Sequence, residues 1–284
     1  MLIEARGIYY TYMAGSPFEV NALKNISLQI NRGEFIGIIG ETGSGKSTLI
    51  QHFNGLLKPT AGEVYYNGSN IWDEEIDLRK LRSRLALLFQ YPEHQLFEET
   101  VFKDVAFGPK SIGMEGEQLE ERVHDALMLV GIDFERYGQR SPFSLSDGEK
   151  RKVAMAGVLA MQPEVLILDE PAAGMDPLGK RRFIELLQQL QYERGITVIL
   201  VTHDMEEVSS LAEKIFVISN GELVLQGKPA EVFSQFEKLR EVGLDIPPLA
   251  ALMYELNNCG KDVRTDVFTV EEVGKEILKL YDRQ

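Results

Sequence analysis

Apolar residues follow three patterns along the 284-residue chain. Phe35-Ile36-Gly37-Ile38-Ile39, Leu85-Ala86-Leu87-Leu88-Phe89, Val165-Leu166-Ile167-Leu168 and Thr197-Val198-Ile199-Leu200-Val201 are short, uncharged and almost continuously apolar. Runs of this kind predict strands buried on both faces, as in a parallel sheet covered on each side. Residues 1–30 instead alternate apolar with polar in two runs around Gly15-Ser16-Pro17, which predicts an antiparallel edge sheet. Ile215–Ile218, Asn220-Gly221 and Leu223–Leu225 predict a hairpin closing the main sheet. From Tyr91 to about Gln162 the period is helical, clearest over Glu117–Val130 and broken by Ser141-Pro142. Beyond residue 229, Ile246-Pro247-Pro248 precedes an apolar helix, and Glu271–Tyr281 reads as a second amphipathic one. The expected fold is α/β, with a three-layer core, an antiparallel β edge subdomain, an inserted α-helical subdomain at about 91–162 and a short α C-terminal tail. The expected division is 1–229 and 230–284.

Chemistry collects at the ends of the continuous strands. Gly40-Glu41-Thr42-Gly43-Ser44-Gly45-Lys46-Ser47 follows the first of them and opens a helix through Leu49, Ile50 and Phe53, which is the strand, loop and helix order of a P-loop. Backbone N–H groups and Lys46 would hold the β- and γ-phosphates of ATP, Ser47 would ligate Mg²⁺, and Thr48 completes the nucleotide-binding set. Asp169-Glu170 leaves the third strand at the edge where open α/β sheets bind ligands. Asp169 is expected to hold Mg²⁺ through its water shell and Glu170 to polarise an attacking water. The fourth strand delivers Thr202-His203-Asp204, and His203 can donate to the γ-phosphate and to that carboxylate. Gln90 follows the second strand, where its amide can reach metal and water.

With these motifs, Leu145-Ser146-Asp147-Gly148-Glu149-Lys150 and Gly174-Met175-Asp176 make residues 1 to about 229 resemble the ATP-binding cassette (ABC) ATPases. The resemblance implies P-loop NTPase cassettes paired head to tail, with Ser146, Gly148 and Glu149 serving a nucleotide held by the partner. It also implies a tyrosine stacked on adenine; Tyr12 is the candidate, with Tyr9 and Tyr10 as competitors. The signature departs from the family at Asp147, in place of glycine, and at Glu149, in place of glutamine. Asp147 can cap the following helix and Glu149 can interact with its dipole, or both can repel a γ-phosphate.

Thr11–Glu19, Gln51–Thr60, Gln90–Phe97 and Leu244–Leu249 resemble the energy-coupling factor (ECF) ATPases, and Pro17-Phe18-Glu19 resembles the second A subunit of that group. This implies a second A subunit, a transmembrane T protein and a substrate-binding S protein. It further implies uptake of a vitamin or a transition-metal ion, and a place on the cytoplasmic face of the cell membrane. The stretch Tyr91–Phe97 would meet the T protein. Rival readings are an ordinary ABC transporter ATPase and a nontransport ABC clamp; the tail beyond residue 229 favours the ECF reading.

A net charge of −14 with no basic block excludes a phosphate-tracking groove, so no nucleic-acid partner is expected. No run approaches 18 apolar residues and Met1–Arg6 is not a signal peptide, so a soluble chain is expected and transport falls to a partner. The single cysteine, Cys259, excludes an intrachain disulfide and is expected to be a small buried apolar residue. The apolar tail faces must be covered either by the chain's own core or by another subunit.

Overall fold

The computed structural model describes residues 1–282, and the chain opens with two antiparallel strands, β1 (Ile3–Tyr12) and β2 (Val20–Ile30). They pair from Ile3↔Ile30 to Tyr12↔Val20, and buried Ile26, Leu28 and Ile30 alternate with exposed Ser27 and Gln29. β3 (Phe35–Ile39), buried throughout, leads through the P-loop into α1 (Lys46–Phe53). β4 (Ala61–Tyr66) then returns beside β1, and β5 (Ser69–Asn70) completes a four-stranded sheet in the order β2-β1-β4-β5. The apolar pattern predicts no strand at β4, where only Val64 and Tyr66 are buried and alternation barely completes one period.

α2 (Leu78–Arg84), capped by the Asp77 carboxylate, runs directly into β6 (Leu85–Leu88). The helical stretch follows as α3 (Val101–Ser111), α4 (Gly116–Leu129), α5 (Phe134–Tyr137) and α6 (Asp147–Leu159). β7 (Val165–Asp169), α7 (Pro177–Arg194), β8 (Thr197–Val201), α8 (Met205–Leu211), β9 (Lys214–Ser219) and β10 (Glu222–Gly227) complete the main sheet. Its order is β10-β9-β3-β8-β7-β6, parallel except for the β9–β10 hairpin.

The parallel strands are apolar at successive positions because each face meets a different layer. Ile36, Ile38, Ile167 and Ile199 pack with Ile8, Ile26 and Phe53 on the side of the antiparallel sheet and α1. The intervening Leu166, Leu168, Val198 and Leu200 pack with Val105, Val123, Val153 and Leu190 on the helical side. The period of two therefore sorts a uniform run into two cores.

The tail is α9 (Pro229–Phe233), α10 (Phe236–Glu241), α11 (Pro248–Asn258) and α12 (Val270–Asp282). Val232, Phe233, Leu239, Leu244, Ile246 and Ala250 pack on Val208, Ile215, Val217 and Leu225, so much of its apolar surface is covered by the chain's own core. Met253, Val263, Val267 and Val273 form a further cluster within the tail. Cys259 is exposed, contrary to the expectation of burial. It sits just past α11, whose buried face is carried by Ala250 and Met253, and six residues beyond Met253 the helical turn has rotated off that face.

The antiparallel sheet has a tight point at Gly62, where a Cβ would lie 2.1 Å from the Gly7 carbonyl oxygen and φ is +87°. Gly62→Ala should cost ~2–4 kcal/mol through steric overlap and backbone strain, read as a lower denaturation midpoint. Wild-type stability in this variant would count against so close an approach of β1 and β4.

Candidate nucleotide-binding and hydrolysis site

Parallel pairing brings the loops after β3, β7 and β8 to one edge. Asp169 lies opposite Val201, and β3 pairs with β8 through Ile38↔Val201. At the P-loop, Lys46 Nζ donates to the carbonyl oxygens of Gly40 and Glu41, both at 2.8 Å. Burial lowers the Lys46 pKa, and the negative charges of Glu170 and Asp169 oppose that shift. Burial raises the Asp169 pKa, while a hydrogen bond from the Ser47 side chain works against it.

The loop fits a phosphate group on two counts. Ser44 Oγ is buried without a hydrogen-bond partner, a donor waiting for an acceptor. A Cβ on Gly40 would stand 2.1 Å from the Ile218 carbonyl oxygen and 2.7 Å from Ser44 Oγ, so no side chain can occupy the cradle there. Gly43 and Gly45 line a cleft of about 410 Å³ with Lys46, Ser47 and Thr48. Among the described residues no group of three or more His, Cys, Asp or Glu could hold a metal. An ion held by phosphates needs only one or two protein ligands, and Asp169 beside Ser47 is a hard-oxygen pair of that kind.

Of Tyr9, Tyr10 and Tyr12, only Tyr12 lines this cleft. Its hydroxyl is 3.1 Å from Thr48 Oγ1. The Tyr10 ring is instead occupied by edge contacts with Tyr12 and His52, at centroid distances of 4.8 and 4.9 Å. Tyr9 lies in a separate recess with Leu23 and Glu222. Val20, Ala22 and Asn220-Gly221 also border the P-loop cleft; the first two carry no motif, and the last signals a hairpin turn but not its place beside the cleft. They arrive because the hairpin tip docks there, with the Lys24 amide donating to Gly221 O at 2.8 Å and the Gly221 amide to Ser44 O at 2.9 Å.

His203 Nδ1 lies 2.8 Å from Glu170 Oε2, and with its proton on Nδ1 the imidazole donates to that carboxylate. Glu170 adopts φ +47°, a left-handed conformation that costs a non-glycine residue ~1–3 kcal/mol. Its amide nevertheless donates to Val201 O at 2.8 Å, which ties the residue to the end of β8. Thr202 Oγ1 donates to Glu207 Oε2 at 3.0 Å, and Lys180 pairs with Glu207 at 3.0 Å and also with Asp204. The residues on both sides of His203 are thus anchored while the imidazole itself stays exposed. Gln90 is exposed two residues beyond the end of β6.

The signature lies on α6 and does not line the P-loop cleft of its own chain. Of the two roles open to Asp147, capping the helix or repelling a γ-phosphate, the capping position is taken by another residue. Ser146 is the N-cap, and Glu149, three residues on, closes a capping box. Glu149 Oε2 accepts from the Ser146 amide at 2.9 Å and from Ser146 Oγ at 2.7 Å, and Oε1 accepts from the Tyr137 hydroxyl at 2.8 Å. Asp147 sits in the first turn, exposed, 3.3 Å from Lys150 Nζ, because the serine already holds the capping position.

The profile of the family described as "ABC transporter" matches residues 23–173. The chain is 46% identical over 280 residues to the energy-coupling factor transporter ATP-binding protein EcfA2 of Clostridium perfringens, covering 99% of this chain and 98% of that one. It is 48% identical over 272 residues to the protein of the same name from Symbiobacterium thermophilum, covering 96% and 94%. Among solved structures it resembles cbiO1 from Clostridium perfringens, described as part of the ABC transporter complex cbiONQ. The TM-score is 0.73 at 40% identity, covering 89% of this chain and 98% of that one. It also resembles a dimeric ATP-binding cassette in a post-hydrolysis state with ADP and Pi, at a TM-score of 0.71 and 31% identity, covering 80% and 98%.

The donors around Glu149, led by the Ser146 side chain, pull its pKa from 4.5 down to about 2. A depressed carboxylate contributes stability that is full above about 4.5 and is lost as pH falls toward about 2. The difference in melting temperature between wild type and Glu149→Gln should therefore narrow through that window. A difference independent of pH would show that the carboxylate is not held in the capping box.

Proposed function

The chain belongs to the ABC transporter ATPases and, within them, to the energy-coupling factor transporter ATP-binding proteins, and on that premise we propose how its residues divide the work. It is an ATPase whose hydrolysis is coupled to transport. The P-loop residues Gly40 to Ser47, with Thr48, hold the phosphates, and Tyr12 stacks on adenine. Glu170 orients the attacking water toward the γ-phosphorus and takes up its proton, so that a new P–O bond forms as the bond to the β–γ bridging oxygen breaks and ADP leaves with that oxygen. His203 holds the Glu170 carboxylate from the side and presents its outer edge to the γ-phosphate. A magnesium ion would be held by Ser47, Gln90 and Asp169 and would neutralise developing phosphate charge.

The observation that carries this reading is the 2.8 Å contact of His203 Nδ1 with Glu170 Oε2 beside the Lys46, Ser47 and Asp169 cluster. Glu170→Gln keeps the shape but removes the carboxylate's basicity. It should lower the ATPase rate ~10²–10⁴-fold while ATP affinity stays near wild type. Normal turnover would remove Glu170 from this role.

Two cassettes are proposed to meet head to tail, so that Ser146 and Gly148 face a nucleotide held by a second A subunit, with Glu149 behind the serine. The absence of the signature from its own cleft and the dimeric cassette among the similar structures support this arrangement. The membrane partners are proposed to be a transmembrane T protein and a substrate-binding S protein. They carry a vitamin or transition-metal ion while this chain sits on the cytoplasmic face of the membrane. No helix among the described residues is long and apolar enough to cross a membrane.

The docking surface for the T protein is placed around Tyr91–Phe97. There Tyr91, Phe97 and Phe107 are exposed, with the last two rings in edge contact at 4.9 Å. The Glu93 side chain is engaged within the chain, so Gln95, exposed in the same turn, is the better reporter. Gln95→Cys in a Cys259→Ser background should crosslink to a membrane subunit in the assembled transporter. Capture of soluble partners alone would refute this surface.

A further inference from the structure

Arg151 joins three segments that separate motifs control. It projects from α6, five residues after Ser146. Its Nε and Nη2 donate to Glu93 Oε2 and Oε1 at 3.1 and 3.0 Å, and its Nη1 donates to the Ala173 carbonyl oxygen at 2.9 Å. Glu93 lies in the single 3₁₀ turn Pro92–Gln95, three residues after Gln90, and Ala173 lies three residues after Glu170. The two charged side chains are 13% and 9% exposed, so solvent screens the pair little. Burial raises the Glu93 pKa, but the Arg151 hydrogen bonds and charge outweigh it and hold the carboxylate below its usual range.

A planar guanidinium can fork onto a carboxylate and still offer a third donor to a carbonyl; an ammonium, a point charge, cannot hold both in fixed geometry. Breaking such a pair strands a buried charge, so the three segments are locked in one relative orientation. The Pro92–Gln95 turn is anchored by buried Pro92 and by the pair of Glu93 with Arg151. It is four residues long, begins after a left-handed Tyr91 (φ +56°), and exposes Tyr91, His94 and Gln95. Its orientation follows α6.

We propose that Arg151 is a positioning residue through which α6 drives the Pro92–Gln95 turn, so that engagement of Ser146 with a nucleotide on a second cassette moves the surface facing the membrane partner. The proposal rests on the head-to-tail reading above and adds to it a specific mechanical link, with the loop after Glu170 as its third attachment.

The test uses the assembled transporter in a Glu170→Gln background, with ATP as the probe and hydrogen–deuterium exchange read separately over residues 91–97 and 145–152. In that parent, ATP should slow exchange in both segments. Arg151→Met should leave the response at 145–152 and cut the response at 91–97 roughly tenfold, since only the link between locally stable units is removed. Glu93→Gln, a milder change, should give the same segment-specific loss. Because both act through one contact, the double variant should be no worse than the stronger single one. Arg151→Lys should restore only part of the response. A full response at 91–97 in Arg151→Met or Glu93→Gln, or losses that multiply in the double variant, would overturn the link. A parent without ATP protection at 145–152 would overturn the head-to-tail reading itself, and the proposal with it.

Discussion

Burial of the parallel strands on both faces is the constraint on which the rest of the structure depends. Four runs without a charged side chain cannot leave either face in water, so one face is covered by the antiparallel sheet and α1 and the other by the helical layer. Once covered, the strands pair in register and their ends are no longer independent. Ile39, Leu88, Asp169 and Val201 finish at one edge, and the loops that follow begin there. The P-loop, Asp169-Glu170 and His203, proposed above to bind and hydrolyse ATP, gather at that edge because it is where polar side chains can leave an apolar layer without being buried unpaired.

At the edge, charges are balanced against desolvation. Lys46 is buried enough for its ammonium form to be disfavoured, and Asp169 for its carboxylate to be disfavoured. Each is partly restored by its neighbours, Lys46 by Glu170 and Asp169, and Asp169 by Ser47 and Lys46. An anionic phosphate with its counter-ion brings further opposite charge to both groups. The left-handed Glu170 and the orphaned Ser44 hydroxyl are costs of the same kind, held in place by the surrounding sheet.

The unusual signature resolves into local physics. Glu149, which by charge alone would oppose a phosphate, is turned back onto Ser146 and Tyr137, and Asp147 lies beside Lys150. The same helix also sends Arg151 inward to Glu93 and Ala173, so its N-terminal turn faces outward while its next turn grips the interior. One helix thereby contacts both the segment after Gln90 and the loop after Glu170.

The sequence by itself determined the parallel strands, the P-loop with its helix, the β9–β10 hairpin and the two amphipathic tail helices, because each is encoded by a local period or by residues adjacent in the chain. It also identified the family, since ordered motifs survive without knowledge of their distances. It could not determine β4, whose period is too short, nor the exposure of Cys259, which depends on where α11 ends. Of three tyrosines spaced along one strand the resemblance favours Tyr12 without excluding Tyr9 and Tyr10, and the pairing of β1 and β2 is what sets Tyr12 alone among them beside the P-loop cleft. The signature cap went to Ser146 because capping depends on backbone dihedrals, which composition does not reveal. Contacts such as Arg151 with Glu93, 58 residues apart, and Lys180 with Asp204, 24 apart, have no sequence period at all. They exist only after burial has fixed which surfaces meet, so the tertiary structure alone decided them.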